Sequence, residues 1–97
     1  MKGSLVRHQK FTDELGNTVE VKLWNVPVSN DKPHGYKYSL VYIRNHQRII
    51  GYDNHEHRGD HRHYGKNVGP YLFKNLEKLI ADFYKDIENF KEGKGES

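Results

Sequence analysis

An α+β fold, a mostly antiparallel sheet of four or five strands with one long C-terminal amphipathic helix packed on one face, follows from three features of the sequence. Val19, Val21 and Leu23 alternate with Glu20, Lys22 and Trp24, the period of two that sends aliphatic side chains to one side of a sheet. Leu72, Leu76, Leu79, Ile80, Phe83, Ile87 and Phe90 recur at helical spacing across about five turns. The strand signals all precede the helix signal, so one helix has one sheet face to cover. The 97 residues supply 23 Leu, Ile, Val and Phe, above the roughly 20% below which chains stay disordered, and that is material for a single core.

Each element has a local reason. Ser4 to Thr12 is strand-compatible, with Leu5, Val6 and Phe11 as apolar points, and Glu14-Leu15-Gly16-Asn17 reads as the turn of a first hairpin. Thr18 onward is the alternating second strand. Pro27 to Gly35 holds two prolines, Ser29-Asn30-Asp31 and a glycine, which end that strand in a loop. Lys37 to Arg44 is rich in Tyr, Val and Ile, Asn45-His46-Gln47 can turn, and Arg48 to Tyr52 resumes with Ile49 and Ile50 as a second hairpin. Asp53 to Gly69 is almost without apolar residues, and a polar stretch of that length in a small domain is commonly functional or disordered. After Gly69-Pro70 comes the helix, whose polar face of Lys74, Glu77, Lys78, Asp82, Lys85, Asp86 and Glu88 reads as solvated. Lys91 to Ser97 has two glycines and no apolar residue. Residues 1–92 are therefore expected to form a single α+β domain and 93–97 a frayed tail. Tyr36, Tyr38, Tyr42, Tyr52 and Tyr64, with Trp24, are candidates either for an aromatic surface on the uncovered sheet face or for filling of the small core.

Composition narrows the function. No stretch approaches the roughly 18 apolar residues of a spanning helix, and Met1 to Lys10 has no hydrophobic signal region after Lys2, so no membrane is expected and the cytoplasm is the expected location. With no cysteine there is no disulfide framework, thiol nucleophile or thiolate metal site. A net charge of +3 suits an anionic partner without demanding one. Its distribution says more, because residues 1–51 carry eight bases against four acids, whereas residues 67–97 carry five against six.

Chemistry concentrates in Tyr52-Asp53-Asn54-His55-Glu56-His57-Arg58-Gly59-Asp60-His61-Arg62-His63-Tyr64, where four of the seven histidines fall within nine residues. If His61 to Tyr64 is extended, His61 and His63 face one way and Arg62 and Tyr64 the other, and His55 and His57 likewise pair. Three readings fit. In metal-independent RNA cleavage the 2′-hydroxyl attacks the adjacent phosphate, and histidine serves both proton roles because its ordinary pKa of about 6.5 lies near neutrality. Arg58 and Arg62 would hold the phosphate, and Tyr64 or Tyr52 would donate to one of its oxygens. A zinc or manganese site is the second reading, since two His-x-His pairs plus Asp53, Glu56 and Asp60 offer enough donors. The interleaved arginines oppose it, and the spacing matches no sharp metal motif. A loop whose histidines are merely solvated is the third.

The Tyr52-Asp53-Asn54 element at a strand end, followed by His61-Arg62-His63, resembles the TumE-type toxins of bacterial and archaeal toxin-antitoxin systems. The likeness covers most of the chain, including the early hairpin, the Gly35-Tyr36-Lys37-Tyr38-Ser39-Leu40 entry to the third strand and the Leu-rich helix reaching Asp82-Phe83. The resemblance implies a toxin that halts growth by cutting RNA and is held inactive by a cognate antitoxin, commonly a helix-turn-helix DNA-binding protein. It maps Tyr52, Asp53 and Asn54 onto the first element and His61, Arg62 and His63 onto the second; His55 and His57 fall in the linker between. Residue chemistry and resemblance together give the leading expectation, an endoribonuclease without cofactor or metal. His61 and His63 share the acid-base work, Arg62 or Arg58 binds phosphate, Asp53 orients a histidine and Tyr52 assists. Arg58, His55, His57, Tyr64 and Asn54 contact RNA. The competing expectations are a non-catalytic nucleic-acid or protein-binding module and a metal-dependent nuclease or phosphotransferase.

Overall fold

The computed structural model describes residues 3–54 and 59–93. Six strands, β1 (Ser4–Thr12), β2 (Thr18–Asn25), β3 (Tyr36–Arg44), β4 (Gln47–Asp53), β5 (His61–Tyr64) and β6 (Asn67–Pro70), form one antiparallel meander in chain order, and a single helix α1 (Leu76–Lys91) follows. The α+β layer arrangement is as the sequence predicts, with six strands in place of four or five. The extra count comes from β5 and β6. Four-residue strands of histidine, arginine, glycine and proline carry no alternating aliphatic signal, and pairing with β4, together with a turn at Gly65 (φ +60°), makes them strands. The β3–β4 turn puts Asn45 and His46 at φ 51° and 63°, the paired left-handed conformation whose twist suits a two-residue hairpin.

Alternation sorts the sheet into two faces. Val19, Val21 and Leu23 of β2 stand opposite Tyr42, Leu40 and Tyr38 of β3, which in turn flank Ile50 and Tyr52 of β4, and all are buried. Leu79, Phe83 and Ile87 of α1 close over this face. Burying each side chain of that size contributes about 1.5–3 kcal/mol. Of the aromatic residues that suited either an open face or the core, most line this covered face. Tyr38, Tyr42, Tyr52 and Tyr64 are core residues, because a face with only five aliphatic side chains from its strands needs their volume.

The helix also begins later than its pattern suggested. Pro70 ends β6, and Tyr71 and Phe73 carry the chain onto the covered face, where their rings meet Tyr52 (4.9 Å, edge-on) and Tyr38 (5.9 Å). Leu72, between them, is 75% exposed and lies outside the helix. Asn75 then caps α1 by accepting from the Lys78 N–H at 2.8 Å. Among the described residues no helix is long and apolar enough to cross a membrane.

Candidate functional site

The end of β4 sends three consecutive side chains in three directions. Tyr52 points to the helix, and its hydroxyl donates to Asp86 at 2.6 Å. Burial and that carboxylate push the phenol far above its ordinary pKa, so it stays protonated. Asn54, 1% exposed, accepts from the Tyr38 N–H at 3.0 Å and donates to the Tyr36 carbonyl at 2.8 Å. It thereby continues the β3–β4 ladder with its own amide. Asp53, between them, is the member that reaches the uncovered face.

The His-x-His element divides the same way. Register sets Asp53 opposite His61, Tyr52 opposite Arg62 and Gly51 opposite His63, so the histidines join Asp53 while Arg62 joins Tyr52. Arg62 Nε lies 2.8 Å from Asp86 Oδ2 and 3.0 Å from the Tyr52 hydroxyl, and Nη2 lies 2.9 Å from Oδ1. A fork closed on a carboxylate this way holds strand to helix, and it drives the Arg62 pKa upward. The Arg62 guanidinium also sits 5.2 Å from the ring centre of Tyr64, which is buried beside it.

On the uncovered face His63 Nε2 lies 3.3 Å from Asp53 Oδ2, and Arg48 Nη2 lies 3.1 Å from His63 Nδ1. A guanidinium only donates, so Nδ1 accepts and the proton of neutral His63 belongs on Nε2, facing Asp53. Arg48 Nη1 approaches Asp53 at 3.8 Å. Burial foremost, then the Arg48 charge, hold the His63 pKa below its ordinary value against the opposing pull of Asp53, so the ring is neutral at pH 7. Gly51 makes this possible, since a Cβ there would stand 2.8 Å from Arg48 Cδ and 3.6 Å from His63 Cδ2. His61 donates from Nδ1 to the Gly59 carbonyl at 2.9 Å, which leaves its Nε2 as the proton-exchanging atom.

Of the ten residues singled out from the sequence, Asp53, His61 and His63 therefore share one face, while Tyr52, Arg62 and Tyr64 occupy the other and Asn54 the sheet end. His55, His57 and Arg58 lie outside the described residues. Asp60 is engaged elsewhere. It accepts from Tyr38 at 2.7 Å and lies 3.0 Å from His34 Nε2, tying the β4–β5 connection to the β2–β3 loop. Among the described residues no three His, Asp or Glu side chains converge as a metal ion requires. Arg48 is the member that sequence reasoning missed. Its signal was Gly51, an interior strand glycine three positions on, which marks a close approach by another group.

A family model described as Toxin TumE matches residues 4–91. Comparison with curated proteins and with solved structures returns no match. The family match takes in every described strand and the helix, and the chain belongs to the TumE toxin family. It is a toxin of a toxin-antitoxin system, with a cognate antitoxin as partner.

Proposed function

We propose that this toxin is a metal-independent endoribonuclease whose reaction runs on the uncovered face of β4 and β5. One observation carries the reading: a neutral, carboxylate-backed imidazole at His63, touched by the Arg48 cation and flanked by a second histidine on the same face. In this reading a substrate phosphate draws the Arg48 guanidinium from His63 Nδ1. The freed lone pair takes the proton of the 2′-hydroxyl while Asp53 stabilises the imidazolium that forms. The 2′-oxygen bonds to phosphorus, the bond from phosphorus to the 5′-oxygen breaks, and His61, which enters this step as the imidazolium, gives that oxygen its Nε2 proton and is left neutral with the Nδ1–H on the Gly59 carbonyl. The products are a 2′,3′-cyclic phosphate and a 5′-hydroxyl. Arg48 offsets the charge that builds on the phosphoryl oxygens.

Arg62, Tyr52 and Tyr64 act in this scheme as positioning residues that fix β5 against α1, and Asn54 fixes the end of β4. Arg58, His55 and His57 are assigned to RNA contact in the β4–β5 connection. The toxin works on RNA in the cytoplasm, and the antitoxin that silences it is a helix-turn-helix protein. Purified toxin, prepared without a nickel column, is incubated with a single-stranded RNA and its all-deoxy counterpart in the presence of a chelator. Cleavage of the RNA alone with a cyclic phosphate end is the expected result. Activity that appears only on adding zinc, manganese or magnesium would overturn the metal-free scheme, and silence under every condition would favour a binding module.

A further inference from the structure

We infer that the whole uncovered face of the sheet, from β5 back to β1, is a track for single-stranded RNA, with Trp24 as its stacking platform and Lys22 and Lys10 as its phosphate contacts. The inference rests on the proposed cleavage reading for its substrate class and adds the surface that binds it. Register builds the track. His61, Asp53, Ser39, Lys22 and His8 stand directly opposite one another across five strands, and the adjacent row is His63, Gly51, Val41, Glu20 and Lys10. Four strand spacings of about 4.8 Å carry these rows roughly 19 Å from the histidines to the far edge. On the other flank Leu5, Trp24 and Lys37 form a third row, in which Lys37 Nζ lies 5.5 Å from the centre of the indole ring.

Nothing among the described residues covers this face, because α1, Tyr71 and Phe73 pack on the other side. Its cations, Lys10, Lys22, Lys37 and Arg48, outnumber its carboxylates, Glu20 and Asp53. Glu20 is itself tied to His8 at 2.8 Å. A row of cations leading to an acid-base pair, with an aromatic ring beside it, matches an unpaired strand, whose bases are free to stack; a duplex keeps its bases from the indole. Stacking on a ring and contacts to phosphates do not read base edges, so the recognition this face provides is tolerant of sequence and sensitive to salt.

The test uses the intact toxin and a 2′-O-methyl RNA oligonucleotide, which lacks the attacking hydroxyl and so reports binding alone. Trp24→Ala is expected to weaken affinity about tenfold, the loss of one stacked base. Lys22→Gln should weaken it severalfold and make the slope of log Kd against log salt shallower by about 0.7, one phosphate contact on a single strand. Glu20→Gln should tighten binding, a gain that a damaged fold could not produce, and the duplex of the same sequence should bind at least about tenfold more weakly. Normal cleavage with none of these responses overturns the track and leaves the cleavage reading standing. The stated responses without cleavage support the track and remove the reaction. Loss of antitoxin binding in all three variants with RNA affinity unchanged would give the face to protein instead, and overturn the inference.

Discussion

Strands β4 and β5 carry the same kinds of group on their two faces, and the two sets differ in how completely they are satisfied. Beneath the helix, Arg62 makes three contacts of 2.8–3.0 Å with Asp86 and the Tyr52 hydroxyl, which itself donates to the same carboxylate at 2.6 Å. On the uncovered face Arg48, His63 and Asp53 are joined by single contacts of 3.1, 3.3 and 3.8 Å, and the Arg48 side chain is 43% exposed. A cation already gripped by a two-pronged carboxylate has little to gain from a phosphate, whereas one held by an imidazole nitrogen at 3.1 Å and a carboxylate only at 3.8 Å exchanges those partners at smaller cost. The proposed reaction draws on the looser set. A face that keeps the fold together and the face proposed to do the chemistry are thus built from adjacent residues of the same four-residue strand.

The largest effect should come from emptying the uncovered face. His61→Ala with His63→Ala is expected to lower the cleavage rate about a thousandfold or more, the scale of lost acid and base catalysis, in a protein that stays folded at the assay temperature although truncating the buried His63 lowers its thermal midpoint. A rate within tenfold of the native toxin, measured on folded protein, would remove both residues from the proposed reaction. The covered face should answer in the opposite currency. Asp86→Ala leaves the part-buried Arg62 and the buried Tyr52 without their acceptor and should cost about 3 kcal/mol of stability, or roughly 15 °C in thermal midpoint for a domain of this size, while the folded fraction at low temperature still cleaves. Next in size, Gly51→Ala should sharpen the contrast, because its Cβ would meet Arg48 Cδ at 2.8 Å and shift the guanidinium off His63. A fall of about tenfold in rate is expected, with stability within about 1 kcal/mol of native; an unchanged rate would show that the Arg48 position is not used.

How much of this was legible in the sequence divides along the same two faces. Alternation in β2 and helical spacing after Leu76 announced the covered face, since burial leaves an aliphatic period. The tyrosines were legible as residues and ambiguous as to side, because a tyrosine suits a core as well as a platform; only register, which seats Tyr38, Tyr42 and Tyr52 among Val21, Leu40 and Ile50, decides it. Asp53, His61 and His63 were visible as a cluster because they are close in sequence and alternation alone puts the two histidines together. Arg48 is fifteen positions before His63, and its contact exists only through the β4–β5 pairing over Gly51. The Asp86 acceptor was read as part of a solvated helix face for the same reason: nothing in the helix pattern distinguishes a carboxylate that meets a guanidinium from one that meets water.

The smallest effect is the most specific test of the loose set. Burial and Arg48 both disfavour the His63 imidazolium, and Asp53 favours it, with the balance holding the pKa below the ordinary 6.5. The unfolded chain therefore binds that proton more tightly than the folded one. Stability from this group is fully present above about pH 6.5 and is lost as pH falls from there through the lower folded value. Arg48→Gln removes the larger of the two charges that depress it, Arg48 ahead of His61, so the His63 ring titration followed by NMR should move to higher pH. The acid limb of kcat/KM should move with it, and the loss of stability between pH 6.5 and the folded pKa should shrink. Asp53→Asn should move the same titration down, because the influence that favours the charged ring is gone. Two neighbouring substitutions on one face that displace one titration in opposite directions cannot be explained by general loosening of the sheet. Arg62→Gln, on the other face of the same strand, should leave the His63 titration where it was, and a shift there equal to that of Arg48→Gln would mean that the two faces do not act separately.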